Sequence, residues 1–193
     1  MSPQRSNRAN LLEGTLRCLE RLPPEGVTAR AITAESGANL ASIAYHFGSK
    51  DQLVTAAVIE GLDRWLEEIA AGIGDLERLA PAKRLRAAAE LIEATRKRHR
   101  GLARNFLNAL ARAQHDPRIG ELLAEGFLHT RRNLAAVLGL GTDQAAEDAA
   151  GLVHSLFTGL LFQVLLDPDL AIEGGRMTRA QVRLRGILPA RSR

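Results

Sequence analysis

The sequence predicts an all-α protein in which a three-helix N-terminal head is joined by a long helix to a larger helical body. Three observations carry this expectation. Ala, Leu and Arg dominate, β-branched residues are few, and a chain that is 46% hydrophobic has only 4% aromatic residues, a composition that favours helix over sheet. Apolar residues recur at three- and four-residue spacing along most of the chain. Pro and Gly gather where those stripes stop, as at Pro23-Pro24-Glu25-Gly26 and Gly139-Leu140-Gly141.

Residues 1 to 8 read as a polar arm carrying Arg5 and Arg8, either a disordered end or an arm able to touch a phosphate backbone or minor groove. From Asn7 to Leu22 the stripe Leu12, Leu16, Leu19 predicts the first helix. Cys18, the lone cysteine, lies between Leu16 and Leu19 and is expected as a buried small hydrophobe, without disulfide or thiolate metal chemistry.

Thr28 to Leu53 is the most informative stretch. Thr28 can cap a short helix with Ala31 and Ile32 on its apolar edge, and Gly37 ends it with a residue that tolerates positive φ. Asn39 then caps a second short helix reaching about Phe47, with Ile43 and Phe47 inward. Leu40, Ser42, Tyr45 and His46 are left facing outward or sideways, apolar, hydroxyl, aromatic and imidazole groups able to reach base edges and phosphates. This is a helix-turn-helix pattern. Ser49 and Gln52 form a capping box for a long connecting helix over 49–71, with Val58, Leu62, Trp65, Leu66 and Ile69 along one stripe.

These residues resemble the TetR family of bacterial transcriptional regulators. Thr28, Ile32, Gly37, Ile43, the triplet Tyr45-His46-Phe47 and Ser49-Lys50-Asp51-x-Leu53 carry the resemblance. Ala44 stands where many members have an aromatic, Ala38-Asn39 replaces a common Val-Ser, and Thr33 and Ser36 replace alanines. The resemblance implies a DNA-binding head over 1–52 and an effector-binding and dimerisation domain over 53–193. It also implies a homodimer on a palindromic double-stranded operator, most often as a repressor released by a small molecule. Matched position by position, Thr28, Ser42, Tyr45 and Lys50 would hold phosphates, and Arg30, Leu40, Ala41, Ser42 and His46 would approach base edges.

Beyond the connecting helix, Pro81 suits a helix start, and that helix ends in Arg96-Lys97-Arg98-His99-Arg100. This basic end is either a solvated terminus favourable to the helix dipole or a group returning toward the head. Gly101 reads as a restart before a helix over 102–114, His115-Asp116-Pro117 as the next break, and 117–138 and 143–166 as two long helices. The family places the effector in an apolar cavity of this domain; the candidates are Trp65, Leu91, Phe106, Leu110, Phe127, His129 and Phe162, with Arg104 or Asn105 as polar anchors. The last two long helices of such proteins form a four-helix dimer interface, which implies Phe127, Leu134, Leu152, Leu156, Gly159, Leu160 and Gln163 here; an apolar core helix of a monomer is the alternative. Arg176 to Arg193 reads as a short basic helix and tail.

The net charge of +4 invites a nucleic-acid reading, yet residues 1 to 60 hold six basic and six acidic side chains, so placement must matter more than total charge. No facing pair of carboxylates, Gly-rich phosphate loop or nucleophile with a placed base is visible, so neither an enzyme nor a cofactor is expected. Glu125 and His129, four apart, read as a surface pair rather than metal ligands. With a polar N-terminus and an apolar run, Leu156 to Leu166, too short to span a bilayer, a cytoplasmic protein with no membrane partner is expected. The rival reading is a helical adaptor whose neutral helix-turn-helix packs against protein.

Overall fold

The computed structural model describes residues 3–74 and 78–184, with side chains from residue 7 onward. It is all helical: α1 (Pro3–Arg21), α2 (Ala29–Ser36), α3 (Leu40–Phe47), α4 (Lys50–Ile73), α5 (Pro81–Thr95), α6 (Arg100–Ala113), α7 (Pro117–Leu138), α8 (Gln144–Leu166) and α9 (Gly174–Leu184). The local signals act as their chemistry requires. Thr28 Oγ1 accepts from Ala31 N at 3.1 Å, Asn39 Oδ1 from Ser42 N at 2.9 Å and Ser49 Oγ from Gln52 N at 3.1 Å, each satisfying an amide the helix leaves open. Gly37 ends α2 at φ 69°, a left-handed conformation that favours glycine.

Three boundaries differ from the sequence reading. From Pro3 onward the polar arm is helical, because α1 starts there, where a preset φ and a missing N–H cost nothing; the side chain of Arg5 lies outside the described ones. The restart expected at Gly101 falls one residue earlier, at Arg100, after a turn over 96–99. A Cβ at Gly101 would run into the carbonyl oxygen of Leu19, so the glycine serves the close approach of α6 to the end of α1. Helix α9 begins at Gly174, two residues before the expected Arg176, and 185–193 of the expected basic tail fall outside the described residues.

The head is tightly built. Gly14 lets α2 lie directly on α1, since a Cβ there would sit 2.7 Å from that of Ser36. Arg17 reaches across to the C-terminal turn of α2, its Nε 2.7 Å from Glu35 Oε1 and its Nη2 donating to the Glu35 carbonyl at 2.8 Å. Helix α4 is the spine. Its Leu53, Ala57 and Val58 are fully buried in a core shared with Leu11, Leu19, Ile32 and Ile43 of the head and with Leu102, Phe106, Ala109, Ile119 and Leu123 of α6 and α7. Head and body are therefore joined by one continuous apolar core, each fully buried Leu or Ile contributing about 1.5–3 kcal/mol. Arg64 of α4 adds polar ties, binding Glu13 of α1 and Glu60 one turn back.

In the body α7 and α8 pack together around Leu134, Ala135, Leu138, Ala146 and Ala150. The far end of α4 packs through Trp65 and Ile69 on Ala88 of α5. Helix α8 leaves Leu152, Leu156 and Leu166 at 75%, 45% and 84% exposure. By length and composition alone the full helix is long and apolar enough to cross a bilayer, a test that core helices also pass. An apolar face left open beside a packed helix pair suits a protein partner equally well.

Candidate nucleic-acid interface and ligand pocket

Helix α3 has two sides. Ile43 is buried and Phe47 half-buried, while Leu40 and Tyr45 are 57% and 71% exposed, with Ala41 and Ala44 exposed between them. Thr28 and Arg30, at the start of α2, are also exposed. The Thr28 hydroxyl uses a lone pair as the α2 cap, and its O–H remains able to donate outward. His46 is half-buried with its ring edge-on to Tyr45, centroids 4.8 Å apart. The Arg8 guanidinium lies over the Phe47 ring at 5.2 Å, fixing the end of α3 against α1.

Ser42 departs from expectation. It is only 8% exposed, and its Oγ donates to Asn39 Oδ1 at 2.9 Å, so its proton is committed to the α3 cap instead of facing outward. Lys50 is half-buried at the start of α4, its Nζ 2.7 Å from Asp51 Oδ1, and Arg112 of α6 holds the other oxygen of that carboxylate. Burial, and then the Arg112 charge, push the Lys50 ammonium below its usual range. The body thus reaches, through Arg112, the carboxylate that neutralises a lysine of the reading head, a link the sequence spacing does not reveal.

The acidic residues of the head are largely spoken for. Arg17 and Arg21 hold Glu35, while Glu13 and Glu60 both face Arg64, whose hydrogen bond keeps the Glu13 carboxyl below the usual range. Three residues of the basic stretch after α5 are also paired: Arg96 with Glu173 at 2.8 Å, and Arg98 and His99 with Glu68.

A pocket of about 130 Å³ opens among α4, α5, α6, α7 and α8. Of the residues expected around an effector, Trp65, Phe106 and Phe127 line it. The others lie elsewhere. Leu110 packs on the head core, Leu91 on the Trp65 cluster and Phe162 behind Phe106, ring centroids 5.7 Å apart. Arg104 is exposed, and Asn105 is buried with its amide donating to the Gly101 carbonyl at 2.9 Å. His129 is exposed and pairs with Asn133.

The sequence reading missed His154, Phe157 and Thr158 of α8, which also line the pocket. Burial, then the nearby Arg131 charge, push the His154 imidazole below its ordinary value. A larger groove of about 670 Å³ lies outside, between α5, α8 and α9, sharing Ile92, Phe157 and Leu161 with the inner pocket.

Of the residues expected on a dimer face, Leu152, Leu156 and Gln163 of α8 are exposed, and a Cβ added at Gly159 would meet nothing within 4 Å. Leu160 borders the outer groove. Leu134 and Phe127 point the other way, into the α7–α8 core and the inner pocket, because α7 turns that stripe toward the interior of the body. Leu128, 48% exposed, is the apolar α7 residue on the open side. Among the described residues no three His, Cys, Asp or Glu side chains gather to hold a metal. Cys18 is buried, and burial pushes its thiol up.

A three-helix head with a capped, half-exposed second helix, set on a helical body with an internal pocket, defines a helix-turn-helix DNA-binding regulator. The family model for bacterial regulatory proteins of the tetR family matches residues 11–57, and that for the C-terminal domain of BetI-type transcriptional repressors matches 81–184. The chain belongs to the TetR family of transcriptional regulators. No curated protein sequence matches it. Among solved structures it is similar to a transcriptional regulator from Pseudomonas aeruginosa PAO1, at 25% identity and TM-score 0.62, covering 97% of this chain and 90% of that one. It shares its fold with the multidrug-binding protein EbrR, solved with imidazole (22%, TM-score 0.62, 100% and 94%). A regulator from Saccharomonospora viridis, solved with choline, also has this fold (22%, TM-score 0.59, 90% and 93%).

Proposed function

We propose that this regulator is a cytoplasmic, non-enzymatic repressor that binds a palindromic operator as a homodimer and is released by a small molecule in the inner pocket. The head over 1–52 reads DNA, and the body over 53–193 binds effector and partner. The observation that carries this reading is the continuous core from α3 through α4 and α6 to the pocket wall, where Phe106 stands both in that core and in the pocket. A side chain displaced by ligand at Phe106 moves α6, and α6 touches the head at Leu19 and Asp51. Thr28, Tyr45 and Lys50 anchor phosphates, which fixes register, while Arg30, Leu40, Ala41 and His46 approach base edges. Ser42 supports them indirectly by locking the α3 cap.

The open apolar face of α8 around Leu152 and Leu156, with Leu128 of α7, supports the dimer. Two heads on a two-fold axis explain how a head that carries six basic against five acidic side chains over 1–52, a net charge of only +1, gains affinity and specificity. Footprinting on a DNA fragment selected from random sequence tests this directly. Two protected half-sites related by a dyad are expected, and a single asymmetric half-site contradicts the dimeric reading.

A further inference from the structure

We propose that the inner pocket selects an uncharged molecule about the size of one six-membered ring, carrying a single hydroxyl or comparable group oriented by His154, and rejects permanent cations and ionised carboxylates. This rests on the reading of the pocket as the effector site. Size gives the first argument. At about 130 Å³, the pocket is close to the apolar cavity of about 150 Å³ that accepts benzene in an engineered lysozyme. Trp65, Phe106, Phe127 and Phe157 give it flat aromatic walls from α4, α6, α7 and α8.

Charge gives the second. No Asp, Glu, Lys or Arg lines the pocket. The near carboxylate, Asp63, stands behind the wall and accepts from the Thr130 hydroxyl at 3.3 Å, with His129 3.9 Å away on its other oxygen. A cation entering would lose its water without a carboxylate to replace it, beside the field of Arg131. Aromatic faces return only part of that loss. An ionised carboxylate would lose its water to a wall with no resident charge. One N–H of the half-buried His154 ring and the Thr158 hydroxyl replace only part of that hydration, and the field of Arg131, outside the wall, offsets only part of the loss. A neutral hydroxyl has less hydration to lose, and neutral imidazole offers it one donor and one acceptor. The Thr130 proton is already given to Asp63, which leaves His154 and the Thr158 hydroxyl as the groups able to orient it.

Trp65 is the single tryptophan and lies in the wall, so its fluorescence reports occupancy. The full-length protein would be titrated with phenol, toluene, benzoate and choline, following Trp65 emission and the thermal midpoint. Saturable binding of phenol is expected, toluene weaker, with benzoate and choline at least tenfold weaker than phenol. His154→Leu should weaken phenol roughly tenfold while leaving toluene within about twofold, and His154→Gln, which keeps a hydrogen-bonding group, should restore most of the loss. Choline or benzoate binding as tightly as phenol would overturn the proposal, as would no saturable response to any probe. DNA anisotropy in the same samples separates the two claims: phenol that binds without releasing DNA defeats the effector reading and leaves the ligand class standing.

Discussion

Substituting Gly101 with alanine tests how the body grips the head. The added Cβ would collide with the Leu19 carbonyl oxygen and sit 3.0 Å from its carbon. Both are backbone atoms that cannot rotate aside, so α6 and α1 must separate. Overpacking of this kind costs about 1–3 kcal/mol, and alanine in a helix returns about 0.5–1 kcal/mol. The net loss, up to about 2.5 kcal/mol, should lower the thermal midpoint by up to about 10 °C for a chain of this size. Gly120→Ala is the control, because its nearest neighbour, the Ala113 carbonyl oxygen, would lie at 3.9 Å and the helix-propensity gain should appear unopposed. Scanning calorimetry of both variants, with DNA affinity measured on each, gives the comparison. If Gly101→Ala is as stable as Gly120→Ala and binds DNA like the parent, the packed joint between α6 and α1 does not exist as described.

Asn39→Ala removes both the α3 cap and the acceptor of the Ser42 hydroxyl; a loss of about 1–2 kcal/mol by denaturant unfolding is expected, and an unchanged midpoint would contradict the cap. Leu152→Asp places a charge on the open face of α8 and should give a monomer by sedimentation with helix content retained; an unchanged dimer would remove that face from the interface. His154 has a pKa lowered by burial, so the unfolded chain takes up its proton first as pH falls below about 6.5. Stability from this group is complete above that pH and declines below it. His154→Gln should flatten the slope of unfolding free energy between about pH 7 and 5, and a slope equal to that of the parent would show that His154 is not buried in solution.

The head was legible because its signals are local. Thr28, Asn39 and Ser49 cap their helices through atoms three residues away, and Gly37 turns through its own φ. Ser42 was misplaced for a tertiary reason: helical spacing set it sideways, and whether sideways meant open or closed depended on how closely α1 and α4 surround α3. Gly101 does lie at a helix start, but its close contact with α1 was not legible, because only the position of Leu19 in space reveals it. The pocket was legible in its aromatics and not in its polar group. His154 lies in an apolar helix whose two faces look alike in sequence, so its inward direction follows from how α8 lies on α7. The Asp51 link between Lys50 and Arg112 joins residues some sixty positions apart, beyond the reach of periodicity.

The central claim, sequence-specific DNA binding through α2, α3 and the start of α4, is tested most directly by fluorescence anisotropy. The protein would be titrated against DNA from upstream of its own gene, with random duplex in excess and Tyr45→Ala, Lys50→Ala and Arg30→Ala beside it. Tight, salt-dependent binding is expected. Tyr45→Ala should weaken it, Lys50→Ala should weaken all sequences alike and lower the salt slope, and Arg30→Ala should cost about 1–3 kcal/mol on the specific site alone. Binding with no sequence preference, or unaffected by all three substitutions, would contradict the claim and favour a helix-turn-helix that packs against protein.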